Sequence, residues 1–161
     1  MTNPSNAGRA QARRRFTFRI IGGIAAAVAA GFLVPLRALA AEWNKAAFDA
    51  RDVPDTLKAL GISSAADSDK IDLKAPEIAE NGAIVPVEIT SSIPGTQSVY
   101  VIAEKNPQPL VAQFDLAGIE PFISTRIKMG ESARIRVVVK AGGKFYSTSR
   151  EVKVTIGGCG G

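Results

Sequence analysis

Hydrophobic and polar residues alternate along most of the chain after residue 70, which is the pattern of half-buried β-strands. The last such run, residues 152–156, has Val152, Val154 and Ile156 on one side and Lys153 and Thr155 on the other. Earlier runs alternate in the same way: 71–73, 85–89, 99–103, 110–114, 123–129 (with Thr125 at one of the alternate positions) and 133–139, and Phe145 and Tyr146 add a further short segment. These runs predict about seven or eight short strands.

The residues between the strands indicate how the strands are connected. Gly142 and Gly143 fit a two-residue hairpin turn, and the loop from Asn106 to Pro109 is predicted to be a rigid hairpin connection without chemistry of its own. Pro86 has no backbone N–H, so we predict that its strand lies at a sheet edge. This spacing predicts an all-β, immunoglobulin-like sandwich over residues 70–156.

A short helical arm is predicted before the strands, over residues 41–69. Its first helix is indicated by apolar residues at positions i, i+3, i+4 and i+7: Trp43, Ala46, Ala47 and Ala50. Pro54 can start a second helix through Leu57 and Leu60, which Gly61 would end, and residues 63–69 form a polar linker. Trp43 and Phe48 either pack on the domain's own core or dock on a partner subunit.

The N-terminal segment has the features of an export signal. Arg13, Arg14 and Phe16 fit the twin-arginine pattern, and an apolar run over residues 20–34 follows. That run is shorter than the roughly 20 residues of a membrane span. We therefore predict a cleaved signal over residues 1–40, export to the periplasm by the twin-arginine rather than the general secretory route, and no stable membrane association. The predicted small-residue cleavage site comprises Ala38, Ala40 and Ala41.

The basic charge of the chain belongs to this signal. The whole chain carries 20 basic and 15 acidic residues. Six basic residues and no acidic ones lie in residues 1–40, so 14 basic remain against 15 acidic. The remainder gives no support for nucleic-acid binding. Within it, a basic group is either a solvated sheet face or a surface for an anion or partner: Arg126, Lys128, Arg134 and Arg136.

Cys159 is the only cysteine, and the chain contains no histidine. The thiol therefore lacks the usual general base, and its pKa should lie near 8.5. Glycines flank it on both sides and should leave residues 157–161 as a mobile arm: Gly157, Gly158, Gly160 and Gly161. No metal-ligand cluster or cofactor motif is recognised, so we predict no metal and no cofactor. A mobile thiol without a base suits a carrier whose activating groups belong to other proteins.

Several segments in order resemble the SoxY family, the sulfur carriers of the Sox thiosulfate-oxidising system: residues 75–82 leading into 85–87, residues 106–109, residues 125–129 and the ending 152–161. The resemblance implies an immunoglobulin-like fold and a heterodimer with SoxZ. It also implies that Cys159 carries thiosulfate-derived sulfur, covalently bound, among separate enzymes. SoxAX would conjugate thiosulfate to the thiol, SoxB would hydrolyse off sulfate, and SoxCD would oxidise the remaining sulfur. The chain itself would not be an enzyme.

Two other classes of function remain open from the residues alone. Gly160 and Gly161 also match the ending of ubiquitin-like sulfur carriers, which are activated as thiocarboxylates, although the export signal points away from that ATP-dependent chemistry. Alternatively, the chain is an exported adhesive or structural sandwich whose Cys159 forms an intermolecular disulfide. Such a protein would not need glycines on both sides of the thiol.

Overall fold

The computed structural model describes residues 44–116 and 118–155, which belong to one compact unit starting at Ala41. In these residues two short helices precede the strands: α1 (Lys45–Asp49) and α2 (Val53–Ala59). The strands are β1 (Ala66–Asp67), β2 (Ile71–Lys74), β3 (Ile78–Ala79), β4 (Val85–Ser91), β5 (Thr96–Ala103), β6 (Leu110–Asp115), β7 (Phe122–Ile127), β8 (Ala133–Ala141) and β9 (Lys144–Val154). None of the helices in this part of the chain is long and apolar enough to cross a membrane.

The strands form a large and a small sheet. The large sheet has the order β1-β9-β8-β5-β6, and β3 also pairs with β9; the small sheet has the order β2-β4-β7. β1 and β3 run parallel to β9, whereas the other neighbours are antiparallel. Gly142 and Gly143, with φ angles of 56° and 75°, form the predicted tight turn between β8 and β9. Both positive φ angles favour glycine at these two positions.

The two sheets pack over a shared apolar core, which confirms the predicted alternation. Val85 and Val87 of the small sheet and Ile135 and Val137 of the large sheet are fully buried in the same cluster. Their sequence neighbours Glu88 and Arg134 are exposed. The fold is therefore mostly β, with two sheets facing each other, as the period of two predicted.

The second face of the large sheet is covered by the helices. Tyr100, Ile102 and Val138 point away from the sandwich core and are buried together with Ala47 of α1. Phe48 packs partly buried against the same cluster. The helical arm thus packs on its own domain, which is the first of the two alternatives for Phe48. Trp43, the other aromatic residue of the predicted arm, lies outside the described residues.

Local capping fixes the start of both helices and the end of α2. The side chains of Asn44 and Asp52 accept hydrogen bonds from the first turns of α1 and α2. After α2, Gly61 adopts a φ of 70°, and its N–H donates to the Lys58 carbonyl oxygen at 3.0 Å. The N–H of Ile62 donates to the Leu57 carbonyl oxygen at 2.8 Å, which completes a Schellman motif. The predicted helix end at Gly61 is confirmed.

Three predictions about individual strands were wrong or incomplete. The predicted linker at 63–69 contains β1, which pairs with β9 at Tyr146 and Ser147. β3 was not predicted, because two residues are too short to show a period. β4, which contains Pro86, is the central strand of the small sheet rather than an edge strand. Its pairing with β2 nevertheless stops at Glu88, so at Pro86 only β7 is paired, and the strand is locally an edge.

The β5–β6 pair contains a further departure from the predicted pattern. The register shifts between Val101 and Ile102, so Leu110 pairs with Ile102 and Ala112 pairs with Val101. Leu110 therefore joins the cluster under the helices, while Ala112 and Phe114 pack on the sandwich core. A bulge changes which face a side chain occupies, and period alone does not reveal it.

Candidate functional site

All the residues predicted to carry function by themselves lie outside the described residues. They are Cys159 with Gly157, Gly158, Gly160 and Gly161, and the signal residues Arg13, Arg14, Phe16, Ala38, Ala40 and Ala41. The described chain reaches Thr155, four residues before Cys159. The structure therefore defines the base from which residues 156–161 (here the cysteine arm) continue.

On one side of β9, a serine side chain takes the place of a neighbouring strand. The ladder between β8 and β9 ends at the pair Ala133 and Val152, so Val154 extends beyond β8. The N–H of Val154 donates to Ser132 Oγ at 2.8 Å, and Ser132 Oγ lies 3.4 Å from the Val154 carbonyl oxygen as a second, longer hydrogen bond. A hydroxyl group can donate and accept at once. Ser132 therefore serves both polar groups of the Val154 backbone.

On the other side, β3 and the residues next to it hold the alternate backbone groups. The N–H of Lys153 donates to the Glu77 carbonyl oxygen at 2.9 Å, and the N–H of Thr155 donates to the Ala79 carbonyl oxygen at 3.1 Å. The Thr155 hydroxyl also donates to the Glu80 carbonyl oxygen at 2.9 Å. The backbone N–H groups of three consecutive residues are thus bonded, alternately to the two sides.

These contacts set the reach of the thiol. If the chain is fixed through Thr155, four Cα–Cα steps separate it from Cys159, which allows at most about 14 Å between the two Cα atoms. If the chain were fixed only to Val152, seven steps would allow about 24 Å. The last bonds of β9 therefore limit how far Cys159 can lie from the held part of the chain.

The charged groups around this base are exposed and of both signs. A guanidinium nitrogen of Arg150 lies 3.8 Å from a carboxylate oxygen of Glu77, and both side chains are exposed to solvent, that of Glu77 more than that of Arg150. Such a pair adds little to stability, because water screens it. Lys153 is also exposed.

The described residues offer little for catalysis or metal binding. Burial raises the pKa of Tyr100, while a hydrogen bond with Ser98 acts in the opposite direction and Asp115 raises it further. Tyr100 lies under the helices, so it does not face solvent as a general acid would. Within 44–116 and 118–155, no group of His, Cys, Asp and Glu residues is placed to hold a metal ion.

The predicted basic cluster is divided between the two sheets. Arg126 belongs to β7 of the small sheet, and Lys128 follows directly after that strand. Arg134 and Arg136 belong to β8 of the large sheet. Arg136 is half-buried and forms an ion pair with Glu104, with nitrogen–oxygen distances of 2.7 and 2.9 Å. The cluster is therefore not a single surface.

The loop predicted to lack chemistry has a structural role. Asn106 Nδ2 donates to the Lys128 carbonyl oxygen at 2.7 Å, and the Gly130 N–H donates to Asn106 Oδ1 at 2.9 Å. Asn106 thereby ties the β5–β6 loop to the chain that follows β7. An open groove of about 480 Å³ lies between these segments and is lined by Arg126 and Lys128 among others.

Sequence reasoning missed the residues that hold the arm's base. Ser132 is 22 residues from Val154 along the chain, and Glu80 is 75 residues from Thr155. Neither Ser132 nor β3 has a local motif that would predict these contacts. The only sequence signal was the alternation that assigned Lys153 and Thr155 to the polar face of the last strand.

The fold and this base define a class: a small two-sheet β domain whose last strand leads into a segment with the protein's only thiol. The profile of the family described as sulfur oxidation protein SoxY matches residues 57–159. The solved structure of the sulfur carrier protein SoxY from Chlorobium limicola f thiosulfatophilum is 44% identical, with a TM-score of 0.60. The match covers 67% of this chain and 96% of that chain. The chain belongs to the SoxY family.

Other comparisons add no functional information. A superoxide reductase (Neelaredoxin) from Ignicoccus hospitalis is 14% identical, with a TM-score of 0.44, and the match covers 53% of this chain and 80% of that chain. A resemblance at this level carries no inference about function. Comparison with curated proteins gave no match.

Proposed function

We propose that this protein carries sulfur covalently on Cys159 and presents it to the enzymes of thiosulfate oxidation. One observation carries the proposal: the family match extends to residue 159, which is the only cysteine of the chain. The Chlorobium relative, 44% identical, is a sulfur carrier protein by its description. A covalent carrier needs one reactive atom, and Cys159 is the thiol available.

The loading step is an oxidation that requires a partner. The Cys159 thiol and thiosulfate form a bond between the cysteine sulfur and the terminal thiosulfate sulfur. One proton and two electrons are released, and an oxidising partner enzyme accepts the electrons. Water then cleaves the bond between the two thiosulfate-derived sulfur atoms, which releases sulfate and leaves a persulfide on Cys159. Neither step needs a cofactor held by this chain.

The chain's own residues supply attachment and reach rather than catalysis. The chain contains no histidine that could activate the Cys159 thiol as a general base, so activation is left to other proteins. The base of the arm is fixed by Ser132 and β3, whereas the glycines around Cys159 have no side chains that would obstruct entry into a recessed active site. This division supports a carrier that is acted on by other proteins.

The wider setting follows from the family and the sequence. We expect a heterodimer with SoxZ and transient contacts with SoxAX, SoxB and SoxCD. The twin-arginine pattern at Arg13, Arg14 and Phe16 supports export to the periplasm, with residues 1–40 removed. The arrangement of two packed sheets is compatible with an immunoglobulin-like sandwich, which we propose as the finer description of the fold.

Intact mass spectrometry of the protein incubated with thiosulfate and the oxidising partner tests the proposal. We expect a sulfur or thiosulfonate adduct on Cys159 and none on Cys159→Ser, which should also lose thiosulfate-dependent turnover. Its thermal unfolding should be unchanged, because Cys159 lies beyond the last strand. Normal turnover by Cys159→Ser would contradict the proposal. A thiocarboxylate at Gly161 would favour the ubiquitin-like class, and a disulfide dimer without adduct would favour the structural class.

A further inference from the structure

We infer that Ser132 is a positioning residue that fixes the point at which the cysteine arm leaves the fold. This inference rests on the proposed carrier function for its consequence, but its physical basis is independent of that function. Ser132 lies in the turn before β8, and its side chain meets the backbone of Val154 where the β8–β9 ladder has already ended.

Without Ser132, one side of the end of β9 would lose its partner. Val154 is two residues past Val152, the last residue of β9 that pairs with β8. Its N–H points to the side opposite β3, because the N–H groups of Lys153 and Thr155 already bond to the β3 side. β3 therefore cannot take over the bond to Val154. Ser132 is the group that the structure places there, at 2.8 Å.

The contact between Ser132 and Val154 affects Cys159 because it sets the last residue at which the chain is held. A short terminal segment of a strand opens locally when few bonds hold it. The bonds at Lys153, Val154 and Thr155 all oppose release of the end of β9. Loss of the Ser132 bond therefore raises the fraction of molecules in which the chain is held only near Val152. The longer tether explores a larger volume, which lowers the concentration of Cys159 at any one site on a partner enzyme. Ser132 thus favours the shorter connection between the held part of the chain and Cys159.

The test compares three variants of the full chain. Ser132→Ala removes the hydroxyl, Ser132→Thr retains it, and Ser124→Ala removes a serine hydroxyl from the exposed face of β7 as a matched control. Amide hydrogen exchange at Val154 reads the contact directly. A net hydrogen bond of ordinary strength predicts about fivefold faster exchange in Ser132→Ala, with exchange near that of the unmodified chain in Ser132→Thr and Ser124→Ala.

Steady-state kinetics with each purified partner enzyme then measure the effect on KM and kcat for the carrier. For Ser132→Ala we expect KM for the carrier to rise, by no more than the about fivefold increase in opening, and kcat to remain unchanged, because the change affects encounter rather than chemistry. Ser132→Thr should restore KM. Unchanged exchange at Val154, or unchanged KM in spite of faster exchange, would overturn the inference. A fall in KM would also overturn it, since the longer tether would then be the better one.

A second variant covers the case in which Ser132→Ala fails to fold. Thr155→Val keeps the shape of the side chain but removes the hydroxyl bond to the Glu80 carbonyl oxygen. It should raise both the amide exchange rate at position 155 and the KM for the carrier. If neither changed, the end of β9 would not be the fixed base of the cysteine arm. Failure of the unmodified chain to acquire any adduct on Cys159 would refute the carrier function, and the exchange data would still decide whether Ser132 holds the strand.

Discussion

The length of the cysteine arm, and not only its flexibility, should decide whether Cys159 reaches a recessed catalytic centre of a partner enzyme. Deleting Gly157 and Gly158 leaves two Cα–Cα steps after Thr155, so the maximum reach falls from about 14 Å to about 7 Å. Replacing both glycines with Ala keeps all four steps and changes only backbone freedom. The two variants therefore separate reach from flexibility.

The expected magnitudes differ. A misplacement of about 1 Å can cost roughly 100-fold in rate, so a shortening of about 7 Å should reduce kcat/KM by at least about 100-fold with every enzyme whose centre is recessed. An Ala costs roughly 1–2 kcal/mol where the bound arm needs a left-handed backbone conformation, and little elsewhere. With one such position, the double Ala variant should lose about 5- to 30-fold.

Turnover should be measured separately with each of the proposed partner enzymes, alongside thermal unfolding and association with the proposed SoxZ subunit. Unfolding should be the same in both variants, because the changes lie beyond the held residues of β9. Equal kcat/KM for the deletion and the unmodified chain would refute the reasoning, even if Cys159 were shown to carry the sulfur. A double Ala variant weaker than the deletion would show that flexibility, and not reach, is limiting.

Three further predictions concern export, packing and pH. Arg13→Lys with Arg14→Lys should leave a longer precursor in the cytoplasm, and immunoblots of cell fractions would reveal unchanged processing if the general secretory route operates instead. Ile102→Ala should destabilise the fold by about 3 kcal/mol in urea unfolding, because Ile102 is fully buried under the helices; Ile119→Ala, at a site 66% exposed, is the control and should change little. Folding raises the pKa of Tyr100, so as pH rises the unfolded chain ionises first and stability should fall above the ordinary tyrosine pKa of 10.0. Tyr100→Phe should reduce that fall in stability. An identical pH profile of the variant would contradict a raised Tyr100 pKa in the folded chain.

Local rules were sufficient for much of the architecture. The alternation at Val85 and Val87 specified a buried face, because successive side chains of a strand point to opposite sides. Gly61 and the Gly142–Gly143 turn were predictable, since each position has a positive φ that glycine adopts without strain. The counts of one cysteine and no histidine, which need no structure, directed attention to Cys159.

Contacts between distant segments decided the rest. The second core under the helices depends on Val138 and Ile102 being buried on the face opposite the sandwich, and a strand buried on both faces loses its period of two. The bulge beside Ile102 moved Leu110 to that same face. The hydrogen bonds to the Val154 backbone depend on Ser132, which lies 22 residues away along the chain. Sequence therefore determined that the single thiol of the chain is at Cys159, whereas tertiary packing determined where the strand that leads to it is held, because a hydrogen bond between remote residues exists only after the chain has folded.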